Sequence, residues 1–344
     1  MKNVKEILQF IKFNPNVNRL EIESGLNISY SSATLKRILS GLIKDGDILV
    51  TGKGKAIRYN ISPQASVTTP LNIDTYFLEE TDKRKIQAEY NFGLINNVLP
   101  IIEIFTSEEQ KYLNTLQLQF LNNLKNITHS EYRKEMEHLG IDLSWKSSQI
   151  EGNTYTLLET EILLKERQTA SGKSKEEAIM LLNHKDALDF ILEDPSYFTD
   201  VSIRKIEELH AILVKDLDID KGIRKRRIGI TGTNYRPLDN EFQIREALTE
   251  ACNLVNSKSN IFEKALLILM LLSYIQAFTD GNKRTARIVS NAILIANNYC
   301  PLSFRSVEAL DYKKAMLIFY EQNNISAFKK IFIEQFAFAI NTYF

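Results

Sequence analysis

Apolar positions recur at helical spacing along most of this chain. Val4, Ile7, Leu8 and Ile11 form an i, i+3, i+4, i+7 stripe that Asn14-Pro15-Asn16 breaks. Leu20, Ile22 and Leu26 predict the apolar side of a short second helix stopping near Gly25. Asn27-Ile28-Ser29 reads as a turn, and Ser29 or Ser31 can cap a third helix with Leu35, Ile38, Leu39, Leu42 and Ile43 inward. The period then changes. Ile48-Leu49-Val50 and Ile57-Arg58-Tyr59-Asn60-Ile61 flank a Gly/Lys tip and predict a hairpin. Pro63 to Pro70 is a polar, proline-flanked connector, and residues 71–82 read as irregular. Helical spacing returns over 83–99, 107–127, 129–140, 175–192 and 203–217, with a strongly apolar helix from Ile261 to Tyr274. Further helices follow at Ile288 to Ile295, around Tyr312, Ala315, Met316 and Phe319, and in the aromatic-rich stretch 328–344. Only 222–237 is strand-like in this body. The expected fold is mainly α, with a small β-hairpin flap.

The first sixty residues look like a winged helix-turn-helix: three helical periods, then a hairpin. This gives a division into 1–62 (winged helix), 63–82 (linker), 83–145 (helical region) and 146–344 (main domain). Tyr30, Ser32, Thr34, Lys36 and Arg37 fall at or near the exposed start of the third helix, where it would enter a major groove. Lys53, Lys55 and Arg58 would meet phosphates on the flank. Charge supports this: the 344-residue chain is neutral overall, yet residues 1–65 hold ten Lys/Arg against five Asp/Glu. DNA is therefore an expected partner, and a homodimer is admitted.

Composition changes the picture little. Hydrophobic content of 44% and charge of 25% suit a globular protein with a substantial core. Cys252 and Cys300 give neither a disulfide framework nor metal spacing, and fit a reducing cytoplasm. Met1-Lys2-Asn3-Val4 opens directly into an amphipathic helix, so no signal peptide is expected. Ala265 to Phe278 is too short and too interrupted to span a membrane. A soluble, cytoplasmic protein is expected.

The candidate chemistry lies at residues 271–287. The apolar helix feeds a tight Asp280-Gly281-Asn282 loop, and the next helix opens at once with Lys283, Arg284 and Arg287. A helix start leaves backbone N–H groups unpaired beside the positive dipole end, where anions bind and cations are unfavourable. Three cations there point to a phosphate. Asp280 beside them is a candidate Mg²⁺ ligand, since Mg²⁺ takes one or two carboxylates plus phosphate oxygens. Ser171-Gly172-Lys173-Ser174, by contrast, lacks the glycine of a nucleotide loop, having Arg167 in its place. His184 and His210 lie in apolar-periodic helices and read as packing residues; His129 and His138 are also distant in sequence.

The string Gln276-Ala277-Phe278-Thr279-Asp280-Gly281-Asn282-Lys283-Arg284-Thr285-Ala286-Arg287 resembles the signature of the Fic (filamentation induced by cAMP) family, His-x-Phe-x-(Asp/Glu)-Gly-Asn-(Gly/Lys)-Arg-x-x-Arg. The resemblance spans roughly residues 71–344. It implies a protein adenylyltransferase that binds ATP and Mg²⁺ and moves AMP to a Ser, Thr or Tyr hydroxyl of a target protein. Gln276, Asp280, Asn282 and Arg284 would be its catalytic positions. Gly281, Asn282, Lys283, Arg284 and Arg287 would hold the nucleotide. The family's histidine is Gln276 here. An amide cannot act as general base, and losing a base removes about 10²–10⁴-fold of rate. Lys283 stands where many adenylylating members have glycine, and a lysine there also occurs in members that transfer phosphate.

Two further stretches acquire meaning from the same resemblance. Glu151 ends a helix predicted at 144–153, where the dipole disfavours an anion, so it wants a cationic partner. Ser147, Glu151 and Gly152 resemble the family's inhibitory motif, whose glutamate pairs with the second signature arginine, here Arg287. Ile228, Gly229, Ile230 and Thr231 resemble the flap that docks a target by main-chain bonds. Two readings follow. One is an autoinhibited adenylyltransferase; the other is a catalytically silent, nucleotide-sensing transcriptional regulator, with a phosphotransferase as a further alternative.

Overall fold

The computed structural model describes residues 2–26 and 31–344. The turn expected at Asn27-Ile28-Ser29, the alternative cap Ser29, and Tyr30 lie outside the described residues.

The head contains α1 (Lys2–Phe13), α2 (Arg19–Gly25), α3 (Ser32–Lys44) and an antiparallel hairpin of β1 (Ile48–Thr51) and β2 (Arg58–Ile61). Asn18 and Glu21 form a capping box on α2, and the Ser31 hydroxyl accepts from Thr34 N–H to cap α3. Ile7, Ile11, Ile22, Leu35, Leu39, Leu42 and Ile48 make a separate core. Leu20 is 67% exposed, against expectation. Two residues from Ile22 puts it about 200° round a two-turn helix, so only one of the pair can face inward. Ile43, also expected inside, is 43% exposed.

The expected linker is folded. Ser62 caps α4 (Pro63–Thr68), with Pro63 at its first position, and Asn72 caps α5 (Ile73–Leu78). Ala65 and Val67 are buried, and Val67 O accepts from Ile325 N. The Lys12 ammonium donates to Ser66 O at 2.8 Å and to Gln322 O at 3.0 Å, so the head is tied to the body through this segment.

Residues 83–99, expected as a helix, are largely extended, with a single π-helical turn at Leu94–Val98. Their backbone pairs elsewhere: Gln87 N donates to Glu321 O and Ala88 O accepts from Arg236 N. Long-range backbone bonds override the local period.

The body is helical: α6 (Ser107–Leu124), α7 (His129–Ile150), α8 (Leu157–Glu166), α9 (Lys175–Glu193), α10 (Ile203–Leu213), α11 (Glu241–Ser257), α12 (Ile261–Ile275), α13 (Asn282–Ala296), α14 (Ala309–Gln322) and α15 (Ser326–Tyr343). Two predicted helices, 129–140 and 144–153, are one. Gly140 does not stop α7; a Cβ there would stand 2.9 Å from Leu188 Cδ2, so the glycine permits close packing on α9. Thr156 with Glu159, and Ser174 with Glu177, are capping boxes, which makes 171–174 a helix–helix loop. Both α12 and α13 are buried over most of their length and form the centre of the main core.

The strand-like stretch 222–237 forms no strand. It is an extended loop turning at Thr231-Gly232, bridged at one point to Glu89 through Arg236. Among the described residues, no helix is long and apolar enough to cross a membrane.

Candidate active site

The core hairpin of α12 and α13 builds the signature loop. Gln276 ends α12 in left-handed geometry, φ 54°, with its N–H on Leu272 O. Asn282 then staples the loop: its Oδ1 accepts from Phe278 N at 2.8 Å and its Nδ2 donates to Phe278 O at 2.7 Å. Both halves of that amide therefore serve the loop. Gly281 has φ 78°, and a Cβ there would meet Val214, Arg284 and His210. Among the described residues no side chain caps α13, so its first N–H groups are left without a cap, as the sequence suggested.

Beneath the loop lies a residue that sequence read only as packing. His210 stacks on Phe278 at 3.7 Å and 7°, and its Nε2–H donates to Asp280 O at 3.0 Å. Burial is the main cause that lowers its pKa to about 4, with Arg284 adding to the effect, so His210 is neutral. Arg224 braces the other side, its Nε donating to Gln276 O at 2.7 Å. Neither contact has a signal in sequence spacing.

A cavity of about 810 Å³ opens over this loop, a size that suits a cofactor-like ligand. Its walls are the signature loop from Thr279 to Arg284 with Gln276, Glu151 at the end of α7, the loop 228–232, Arg84, and one face of α14 including Tyr312, Lys313 and Tyr320. Arg284 is 1% exposed, with Nη2 3.5 Å from Asp280 Oδ2. Asp280 is the open carboxylate: its side chain is 66% exposed, and Oδ1 accepts from Gly281 N.

Glu151 bridges two of the expected phosphate cations. Its Oε1 accepts from Arg287 Nη2 at 3.1 Å and its Oε2 from Lys283 Nζ at 3.3 Å. Burial by itself would raise the Glu151 pKa; the charges of Arg287 and Lys283 outweigh it and hold the carboxyl below its usual range. Gly152, φ 105°, supplies the turn that ends α7. Arg287 is fully buried and does not line the cavity. Besides Glu151 it grips Ser147, with Nε on Oγ at 2.8 Å and Nη2 on the carbonyl at 2.9 Å. The Lys283 contact is one the sequence reading missed.

Gln276 is 6% exposed, and its amide donates to Ser273 O at 2.6 Å, with Tyr320 OH 3.5 Å away. No histidine is among the described residues lining the cavity.

In the loop 228–232, the backbone of Ile228, Gly229, Ile230 and Thr231 makes no hydrogen bond among the described residues. Arg84 holds its end, donating to Gly232 O at 2.7 Å while lying 3.3 Å from Glu321. In the head, Ser32, Lys36, Arg37, Lys53 and Lys55 are exposed. Thr34 is half-buried against Ser31, and half-buried Arg58 turns its guanidinium to Ile57 O.

Residues 200–294 match the family model described as "Fic/DOC family", and the chain carries a Fic/DOC family domain. Among curated proteins it is 25% identical over 210 residues to "Protein adenylyltransferase fic-1" of Caenorhabditis elegans, covering 59% of this chain and 40% of that protein. It is 30% identical over 156 residues to "Protein adenylyltransferase Fic" of Drosophila melanogaster, covering 44% of this chain and 32% of that protein. The chain thus spans well under half the length of these two relatives. Its fold is similar to solved Fic-1 of C. elegans, with TM-score 0.60, 22% identity and coverage of 69% and 72%. A Fic domain-containing signaling protein from Bacteroides thetaiotaomicron gives TM-score 0.56 at 19% identity, covering 67% and 94%.

Proposed function

We propose that this protein is a Fic-type ATP-binding protein, an adenylyltransferase site held shut by its own glutamate. The observation that carries the reading is Glu151 bridging Lys283 and Arg287 at the wall of the cavity. The uncapped start of α13 and Arg284 receive phosphates there. A desolvated, charge-assisted carboxylate pair is geometrically specific and competes with a phosphate for the same guanidinium. Glu151 is thus a latch. Asp280 fits Mg²⁺: it is exposed at the cavity wall, and its Oδ2 is free of the loop, with only the long 3.5 Å contact to Arg284 Nη2. Bound there, the ion would neutralise phosphate charge.

For AMP transfer, a target hydroxyl oxygen bonds to the α-phosphorus as pyrophosphate leaves, and the hydroxyl proton must be taken up. Gln276 cannot take it, so turnover runs about 10²–10⁴-fold below that of a histidine-bearing site. The unpaired main chain of Ile228 to Thr231 offers the target an edge. Label from ATP on protein, measured for Glu151→Gly and for Glu151→Gly/Arg284→Ala, tests this. Transfer that needs Arg284 supports the enzyme. Absence of both binding and transfer in Glu151→Gly sinks the reading.

A second reading has its own support. The head is a winged helix that presents α3 and the Lys53/Lys55 tip to DNA, and Lys12 ties it to Gln322, two residues beyond Tyr320 in the cavity wall. A silent, nucleotide-sensing regulator would use that tie. Binding of ATP without label, together with nucleotide-dependent DNA affinity, favours it.

A further inference from the structure

Behind the latch lies a buried relay that the mechanism above does not use. Ser147 Oγ stands between two nitrogens, 2.8 Å from Arg287 Nε and 2.7 Å from His184 Nε2. Ser147, His184 and Arg287 are all fully buried. Arg287 Nε can only donate, so it occupies a lone pair of Ser147 Oγ. The hydroxyl proton then needs an acceptor, and among the described residues His184 Nε2 is the one within reach.

The usual alternative for a helical serine is the carbonyl four residues back. Ser144, one turn earlier on α7, takes that route and donates to Gly140 O at 2.8 Å. Ser147 does not; its hydroxyl is turned across to α9. His184 is kept able to accept. Burial, reinforced by Arg287 and Arg284, holds its pKa well below the usual value, so the ring is neutral. With Nε2 accepting, the ring proton sits on Nδ1, which has no partner among the described residues, so the Ser147 contact is the hydrogen bond that holds the ring.

We propose that His184 is a positioning residue of the latch: by accepting the Ser147 hydroxyl proton, it fixes Ser147 Oγ as the acceptor that holds Arg287 beside Glu151 and away from the cavity. The inference rests on the reading that Glu151 opposes nucleotide binding. Without the ring nitrogen, Ser147 turns to its own helix and Arg287 loses one of its three hydrogen bonds, keeping its place over the Tyr312 ring. The guanidinium is then easier to draw toward a phosphate.

Calorimetry of ATP–Mg²⁺ on the full chain tests this, with thermal melts alongside. Glu151→Gly must first raise affinity; if it does not, the latch reading fails and this proposal falls with it. Given that rise, His184→Leu raises affinity roughly tenfold in the wild-type background and less than about twofold in the Glu151→Gly background, where the competing carboxylate that the Ser147 contact holds Arg287 beside is already gone. His184→Gln retains an acceptor near the Nε2 position and keeps wild-type affinity. A His184→Leu affinity equal to wild type, or a rise of the same size in both backgrounds, overturns the proposal while leaving the latch intact. Should His184→Leu fail to fold, Ser147→Ala removes the same bond from the other end and is expected to give the same rise; unchanged affinity there overturns the proposal equally.

Discussion

The Gln276 amide donates to the carbonyl of Ser273 at 2.6 Å, folding back on the helix it ends. The side chain at the signature's first position is therefore tied to α12. Gln276→His places an imidazole at that cavity wall. The expected outcome, in a Glu151→Gly background, is a gain of about 10²-fold or more in label transfer from ATP. Equal transfer with and without the Gln276→His substitution would show that proton removal does not limit this site.

Glu151 has two cations, and they are not equivalent. Its partner Arg287 is buried, whereas the Lys283 side chain is 25% exposed. A pair partly open to solvent contributes less than a fully buried one, and removing one partner of a buried pair costs most. Lys283→Ala is expected to change ATP affinity less than threefold or so, while Arg287→Ala unfolds α7's end or abolishes binding. Calorimetry and melting of both variants check the order.

In the head, Lys53 and Lys55 are exposed at the hairpin tip and Lys36 and Arg37 on α3. If the tip meets phosphates, Lys53→Ala/Lys55→Ala weakens binding to a mixed-sequence duplex and lowers the slope of log K against log salt by about one unit for each lysine that met a phosphate. Fluorescence anisotropy over a salt series reads this directly. A slope unchanged from wild type removes the wing from the interface.

Lys12 gives a pH signature. Burial lowers its pKa from 10.5 to about 8. Between those values the unfolded chain binds more protons than the folded one, so this group adds stability as pH rises through the window. The melting temperature of wild type relative to Lys12→Met is expected to increase from pH 8 to 10.5. A difference that stays flat would show that the ammonium is not desolvated at the contact between head and body.

Much of this was legible because it is local. The stripes of α1 and α3 and the buried run of α12 depend on neighbours three or four residues apart. The head's core also followed, apart from Leu20 and Ile43. Where local signals failed, a distant partner had intervened. Gly140 looked like a stop until Leu188 packed against it, and 83–99 lost its helix to backbone bonds with Glu321 and Arg236. The linker folded because Val67 found the main core to bury against.

The sequence by itself determined that a carboxylate stood at the wrong end of a helix and that three cations stood at the wrong end of another. Each is an unfavourable local charge, and such a charge announces a missing counterpart without naming it. The family resemblance pointed to Arg287 for Glu151, but only the tertiary structure brought the two together and added Lys283 beside them with Ser147 and His184 behind, each across more than thirty residues of chain. Electrostatic need is written in one dimension, and distance, which sets whether it is met, exists only in three.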